Sequence, residues 1–140
     1  MTLPEGYTLQ PRVPDIDDVL RLRVESGLSP RTRAAAEAGL PNSLFGVTVL
    51  FDGQAIGMGR IVGDGGCSVV IVGIAGQPAH QKRGLGRAIM DALDAWLKAN
   101  APDGAHVSLI ADGDAKHLYA RYGFQDVGPA SIGMQYTLRR

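Results

Sequence analysis

The sequence has little cysteine, no excess of either charge and no long apolar run, and each shortage narrows what the chain can be. Cys67 is the single cysteine in 140 residues, so no internal disulfide can form. Three histidines and no clustering of Cys with His leave no metal-ligand spacing. A reducing, cytoplasmic setting without a metal is the expectation. Fourteen Lys and Arg balance fourteen Asp and Glu, so there is no overall field to recruit nucleic acid or an anionic membrane. Basic and aromatic residues are not interleaved, and Arg139-Arg140 is too little to alter that, which disfavours a nucleic-acid-binding module. No stretch approaches the roughly 18 apolar residues of a membrane helix. The start of the chain, with Pro4 and Glu5 and no basic flank, does not read as a signal peptide. A soluble protein with small, local partners is expected.

What is present reads as one mixed α/β unit over residues 1–140. A short strand at Tyr7-Thr8-Leu9 precedes a helix capped by Asp15, with Ile16, Val19, Leu20 and Val24 on one face and Gly27 at its end. Ser29-Pro30 has the form of a cap and first turn for a second helix through Ala34, Ala35, Ala36 and Ala38, with Gly39 just beyond. Leu44 to Phe51 and Ala55 to Val62 form a hairpin about Asp52-Gly53. After Asp64-Gly65-Gly66, the nearly unbroken apolar run from Ser68 to Ala75 marks a central strand covered on both faces. Leu85, Ala88, Ile89, Ala92, Leu93, Trp96 and Leu97 then follow helical spacing, and Pro102-Asp103-Gly104 stops that helix. A strand follows through Val107, Leu109 and Ala111. A short helix with Ala115, Leu118, Tyr119 and Tyr122 on one face ends at Gly123. Phe124 to Val127 and Ile132 to Leu138 read as the last two strands.

Between the central strand and the most amphipathic helix lies Gln81-Lys82-Arg83-Gly84-Leu85-Gly86. A diphosphate needs several converging donors, and a helix N-terminus supplies backbone N–H groups and a positive dipole end. The amides from Arg83 to Arg87 would be those donors, and Lys82, Arg83 and Arg87 add charge around them. Two glycines alone would also suit a simple tight turn. A nucleotide-triphosphate loop is disfavoured because no Lys-Ser or Lys-Thr follows the second glycine. A dinucleotide site is disfavoured because the third glycine is missing and the unit opens on antiparallel hairpins.

These residues, with Ile74-Ala75-Gly76-Gln77-Pro78 before them and Leu118-Tyr119-Ala120-Arg121-Tyr122-Gly123-Phe124 after them, resemble the GCN5-related N-acetyltransferase (GNAT) superfamily. Its signature is Gln or Arg, two residues, Gly or Ala, one residue, Gly or Ala, and every position matches. The order of elements matches over nearly the whole chain. The resemblance implies a mostly antiparallel, twisted sheet of about six to seven strands, splayed at the central strand and flanked by about four helices. It also implies acetyl-CoA as co-substrate, with Ile74, Ala75 and Gly76 pairing with the pantetheine arm. Residues Gln81, Lys82, Arg83, Gly84, Leu85, Gly86 and Arg87 would hold the pyrophosphate, with Ala115 and Tyr122 also against the cofactor. Tyr119 becomes the acid that protonates the departing thiolate, and a substrate amine attacks the thioester directly, with no covalent enzyme intermediate. Homodimerisation is a habit of the family.

The chain departs from that pattern where many relatives carry an acid on the central strand. Here the position is Gly73, and no Asp or Glu occurs from residue 67 to 87. Asp64 and Asp112 are weak substitutes, and desolvation of the amine is the other route. His80, His106 and His117 read as structural or solvated, Cys67 as a small buried or edge residue, and Tyr119 itself also suits a core position. Acceptor determinants are expected at Gly27-Leu28-Ser29, at Gly57-Met58-Gly59-Arg60 and at Gly133-Met134, where Arg60 would meet a carboxylate or phosphate or else a structural ion-pair partner. The leading function is acetylation of a small-molecule amine. Acetylation of a protein amine and a silent acyl-CoA-binding domain are the alternatives.

Overall fold

Alternation of apolar residues with glycine and threonine makes the segments after residue 44 pair as strands, and the computed structural model, which describes residues 3–140, shows a sheet of five. The described residues fall into two compact units that divide between Leu109 and Ile110. In the first, β1 (Tyr7–Gln10), β2 (Phe45–Phe51), β3 (Gln54–Gly63), β4 (Ser68–Gly76) and β5 (His106–Ser108) lie in sequential order. Neighbours are antiparallel except β4 and β5, which are parallel. Asp52 and Gly53, at φ 50° and 75°, close the β2–β3 hairpin in the left-handed geometry its twist requires.

Helix α1 (Ile16–Glu25) and helix α2 (Arg33–Gly39) bury Val19, Leu22 and Ala36 in a cluster with Leu40, Ala55, Met58 and Ala75. The inward residue of α1 is Leu22, fully buried, whereas Val24 is 64% exposed, because 3.6 residues per turn carry Val24 past the apolar stripe. Asp15 stands at the N-cap without a side-chain bond. The second helix begins later than Ser29-Pro30: Thr32 caps it by accepting from the Ala35 amide at 3.1 Å, and Gly39 is its last residue. Helix α3 (Leu85–Asn100) packs on β2, β3 and β4. Ile89, Met90 and Leu93 are buried there, and Trp96 stacks on Phe45 at 5.6 Å. A Cβ on Gly59 would stand 2.8 Å from Ile89 Cγ2, so glycine lets the helix seat closely.

In the second unit, helix α4 (Ala115–Ala120) is followed by Gly123 at φ 91°. The expectation of six to seven strands is corrected to five. Residues 124–127 and 132–138 are not strands, and Val127, Ile132, Met134, Tyr136 and Leu138 are exposed. Period-two alternation shows that a segment could line a sheet, but a strand exists only where a neighbour takes its backbone hydrogen bonds. Strand β5 is also shorter than expected, ending at Ser108.

Candidate functional site

The site begins where β4 loses its neighbour. Strand β5 accompanies β4 only through Ser68, Val69 and Val70, so the outer edge of β4 from residue 71 to 76 has no strand partner among the described residues. Ile74, Ala75 and Gly76 lie in that stretch of β4. On the inner edge, Val72 pairs with Arg60 and Ala75 with Met58, so Gly73 and Ile74 together face Gly59. This is a β-bulge, and Gly73 occupies it at φ 65°, a conformation suited to glycine. The backbone at Gly73 therefore disfavours any side chain.

Beyond Gly76 the chain is pinned before it reaches the loop. The Gln77 amide donates to the Ile56 carbonyl at 2.8 Å. A 3-10 turn over Pro78–His80 is tied to the sheet by a 2.6 Å hydrogen bond between Tyr7 Oη and His80 Nδ1, with Phe51 packed against both rings. His80 is thus a structural histidine. Gln81 turns its side chain back, and Nε2 donates to the Gly76 carbonyl at 2.8 Å.

Lys82 at φ 64° and Gly84 at φ 84° then reverse the chain into α3. Leu85, 4% exposed, anchors the first turn in the core, so its backbone is what it offers at the loop. The opening amides of a helix have no intrahelical acceptor. Gly86 is half-buried, while Lys82, Arg83 and Arg87 are exposed around the turn. The seven residues expected to form an anion cradle are therefore contiguous in one turn at the start of the longest helix.

In the second unit, Tyr119 is 9% exposed and meets Phe124 edge-on at 6.4 Å. Burial, reinforced by the charge of Asp112, pushes its phenol pKa up, so it holds its proton beyond the usual phenol range. Ala115 and Tyr122 are half-buried on the same helical face.

Among the other candidates, Asp64 is committed to a turn, accepting from the amides of Gly66 at 2.8 Å and Ser68 at 3.0 Å. Those bonds lower its pKa, with Ser68 first. It sits at the start of β4, the opposite end from Gly76. Cys67, His106, His117 and Met134 are exposed.

Two placements escaped the sequence. Glu25, at the end of α1, accepts from Gln77 Nε2 at 3.1 Å and from Arg21 at 2.8 Å. Arg23 and Arg31 join Arg60 around a pocket that also includes Met58, Gly59 and Gly73. The i, i+4 spacing of Val19 and Arg23 was the available signal, since it puts the arginine on the buried side of α1.

The family profile described as an acetyltransferase (GNAT) domain matches residues 43–126. A probable acetyltransferase from meticillin-resistant Staphylococcus aureus has 40% identity and a TM-score of 0.89, covering 94% of this chain and 99% of that one. A GNAT-family acetyltransferase from Streptococcus pneumoniae has 25% identity and a TM-score of 0.74, with 96% and 99% covered. The fold is also that of the ribosomal-protein-S18-alanine N-acetyltransferase from Escherichia coli, at 20% identity and a TM-score of 0.70, with 86% and 79% covered. A comparison with curated proteins finds no match.

Proposed function

Because the chain belongs to the GNAT acetyltransferase family, we propose that it moves the acetyl group of acetyl-CoA directly to a primary amine of a small molecule. The observation that carries this reading is the outer edge of β4 beyond Val70, which has no strand partner among the described residues and leads through the 3-10 turn at Pro78–His80 into the turn at residues 81–86. An extended amide-bearing arm can add to such an edge as a strand would, and the start of α3 suits a pyrophosphate.

In this reading the donor supplies an activated thioester. Ile74, Ala75 and Gly76 bind its arm through the backbone. Gln81 holds strand and loop in register. The amides between Arg83 and Arg87 take the pyrophosphate, with Lys82, Arg83 and Arg87 as surrounding charge, and Ala115 and Tyr122 line the cofactor. The amine nitrogen bonds to the acetyl carbon, the carbon–sulfur bond breaks, Tyr119 gives its proton to the leaving thiolate, and the proton that the nitrogen sheds passes through solvent to restore the Tyr119 phenol. A phenol is protonated at neutral pH in any case, and the upward shift keeps Tyr119 so while making it a weaker acid. Residues 1–140 act as one catalytic domain, in a cytoplasmic setting; no helix among the described residues is long and apolar enough to cross a membrane.

Calorimetric titration with acetyl-CoA, ATP and NAD, followed by thiol release across a panel of amines, tests the reading. Acetyl-CoA should bind and release thiol in the presence of an amine. Binding of ATP without acetyl-CoA would sink it, and tight acetyl-CoA binding with no turnover of any amine would mark a silent domain.

A further inference from the structure

On the α1–α2 side of the sheet, Arg23 from α1, Arg31 from the segment before α2 and Arg60 from β3 surround a cavity of about 130 Å³. Their hydrogen bonds all go to neutral oxygens. Arg23 Nε donates to the Ser29 carbonyl at 2.6 Å, Arg31 Nη1 to Ser29 Oγ at 2.8 Å, and Arg60 Nη1 to Ser43 Oγ at 3.1 Å. No carboxylate pairs with any of the three among the described residues, although neighbouring arginines are paired: Arg12 with Asp15, Arg21 with Asp18 and Glu25, Arg33 with Asp17. Each guanidinium carries five donors, so these bonds leave N–H groups to spare.

Bringing three like charges together without an anion is unfavourable. Arg23 is destabilised as a cation by burial first and then by Arg31 and Arg60, and Arg60 by burial and then by Arg31. Arg31 is exposed and Arg23 and Arg60 are half-buried, and an anionic ligand would supply the missing negative charge through charge-assisted, bidentate hydrogen bonds. Gly73 fits the same logic. A Cβ there would stand 3.8 Å from Arg23 Nη1, so a carboxylate at this position would be an internal counter-ion for the cluster. Glycine leaves Arg23 to an external anion. The next residue, Ile74, begins the proposed donor-binding edge.

We propose that the acceptor is a small primary amine bearing a phosphate or carboxylate, and that Arg23, Arg31 and Arg60 hold this anionic group beside Gly73 while the amine is presented to the β4 edge. The proposal rests on the acetyltransferase reading and supplies its substrate class. The cavity volume suits one small anionic group.

Two measurements test it. The first is thermal protection and calorimetric binding of inorganic phosphate and of malonate, compared between the natural chain and Arg23→Gln and Arg60→Gln. The second is thiol release with ethanolamine, β-alanine and O-phosphoethanolamine. Anion binding to the natural chain should weaken at least tenfold in each Gln variant, and Arg60→Lys should recover part of it. Charged amines should exceed ethanolamine in kcat/KM at least tenfold, with the advantage lost in Arg60→Gln and acetyl-CoA affinity unchanged. A larger effect of the phosphate compounds identifies a phosphate monoester, and of the carboxylates an amino acid. If neither anion binds the natural chain better than the variants, or ethanolamine is used as well as the charged amines, the inference is overturned. If acetyl-CoA does not bind while the anions do, the acetyltransferase reading fails instead. Circular dichroism of each variant separates lost binding from lost folding.

Discussion

Gln81 Nε2 lies 2.8 Å from the carbonyl oxygen of Gly76, joining the loop that opens α3 to the last residue of β4. The two features to which we assign donor binding, strand edge and helix start, are thereby fixed relative to each other. An exposed neutral hydrogen bond of this kind contributes about 0.5–1.5 kcal/mol. Gln81→Ala should therefore lower the melting temperature by a few degrees and weaken acetyl-CoA binding roughly two- to tenfold. Calorimetry and thermal unfolding of the same sample check both parts.

Tyr119→Phe keeps the ring against Phe124 and removes only the proton donor. A drop in kcat of ~10²–10⁴ is expected, with acetyl-CoA affinity retained. Since burial and then Asp112 raise the phenol pKa, the acid form persists as pH rises through neutrality and is lost only above the ordinary phenol value of about 10. The kcat profile should show no loss from this group below that value, and no such limb should exist in the Phe variant. An unchanged kcat in Tyr119→Phe would remove Tyr119 from the chemistry.

Gly73→Glu would put a carboxylate on the central strand, yet it should not raise activity. A side chain at φ 65° costs about 1–2 kcal/mol, and the new carboxylate would neutralise Arg23. Lower stability together with weaker binding of anionic acceptors is expected, read by melting temperature and KM. A gain in kcat would show that a strand carboxylate is the missing base.

Gly59→Ala tests the seat of α3. The added methyl would come within 2.8 Å of Ile89 Cγ2, and Ile89 is 1% exposed. Overpacking of this kind costs about 1–3 kcal/mol, a fall in melting temperature of several degrees at roughly 2–8 °C per kcal/mol. Pairing the change with Ile89→Leu, which removes the branch at Cβ that carries Cγ2, should recover part of it.

The loop at residues 81–86 could be read from the chain because its requirements are local: glycine at a left-handed position, basic residues close by, an amphipathic helix next. The hairpin at Asp52 and Gly53 was legible for the same reason. Leu22 was missed as a core residue because the apolar stripe of α1 was assigned one turn position away. The last two strands were overcalled because alternation is a property of the segment, whereas pairing belongs to its neighbour.

By itself, then, the sequence determined the order of strands and helices as far as α4, the helix-opening turn and the family, each legible from short stretches of chain. The tertiary structure decided what Gly73 does. Register against β3 makes it a bulge, and the packing of α1 and the approach to α2 against that strand bring Arg23 and Arg31 to Arg60. Charges separated by tens of positions in the chain acquire a common electrostatic meaning only when burial puts them around the same space.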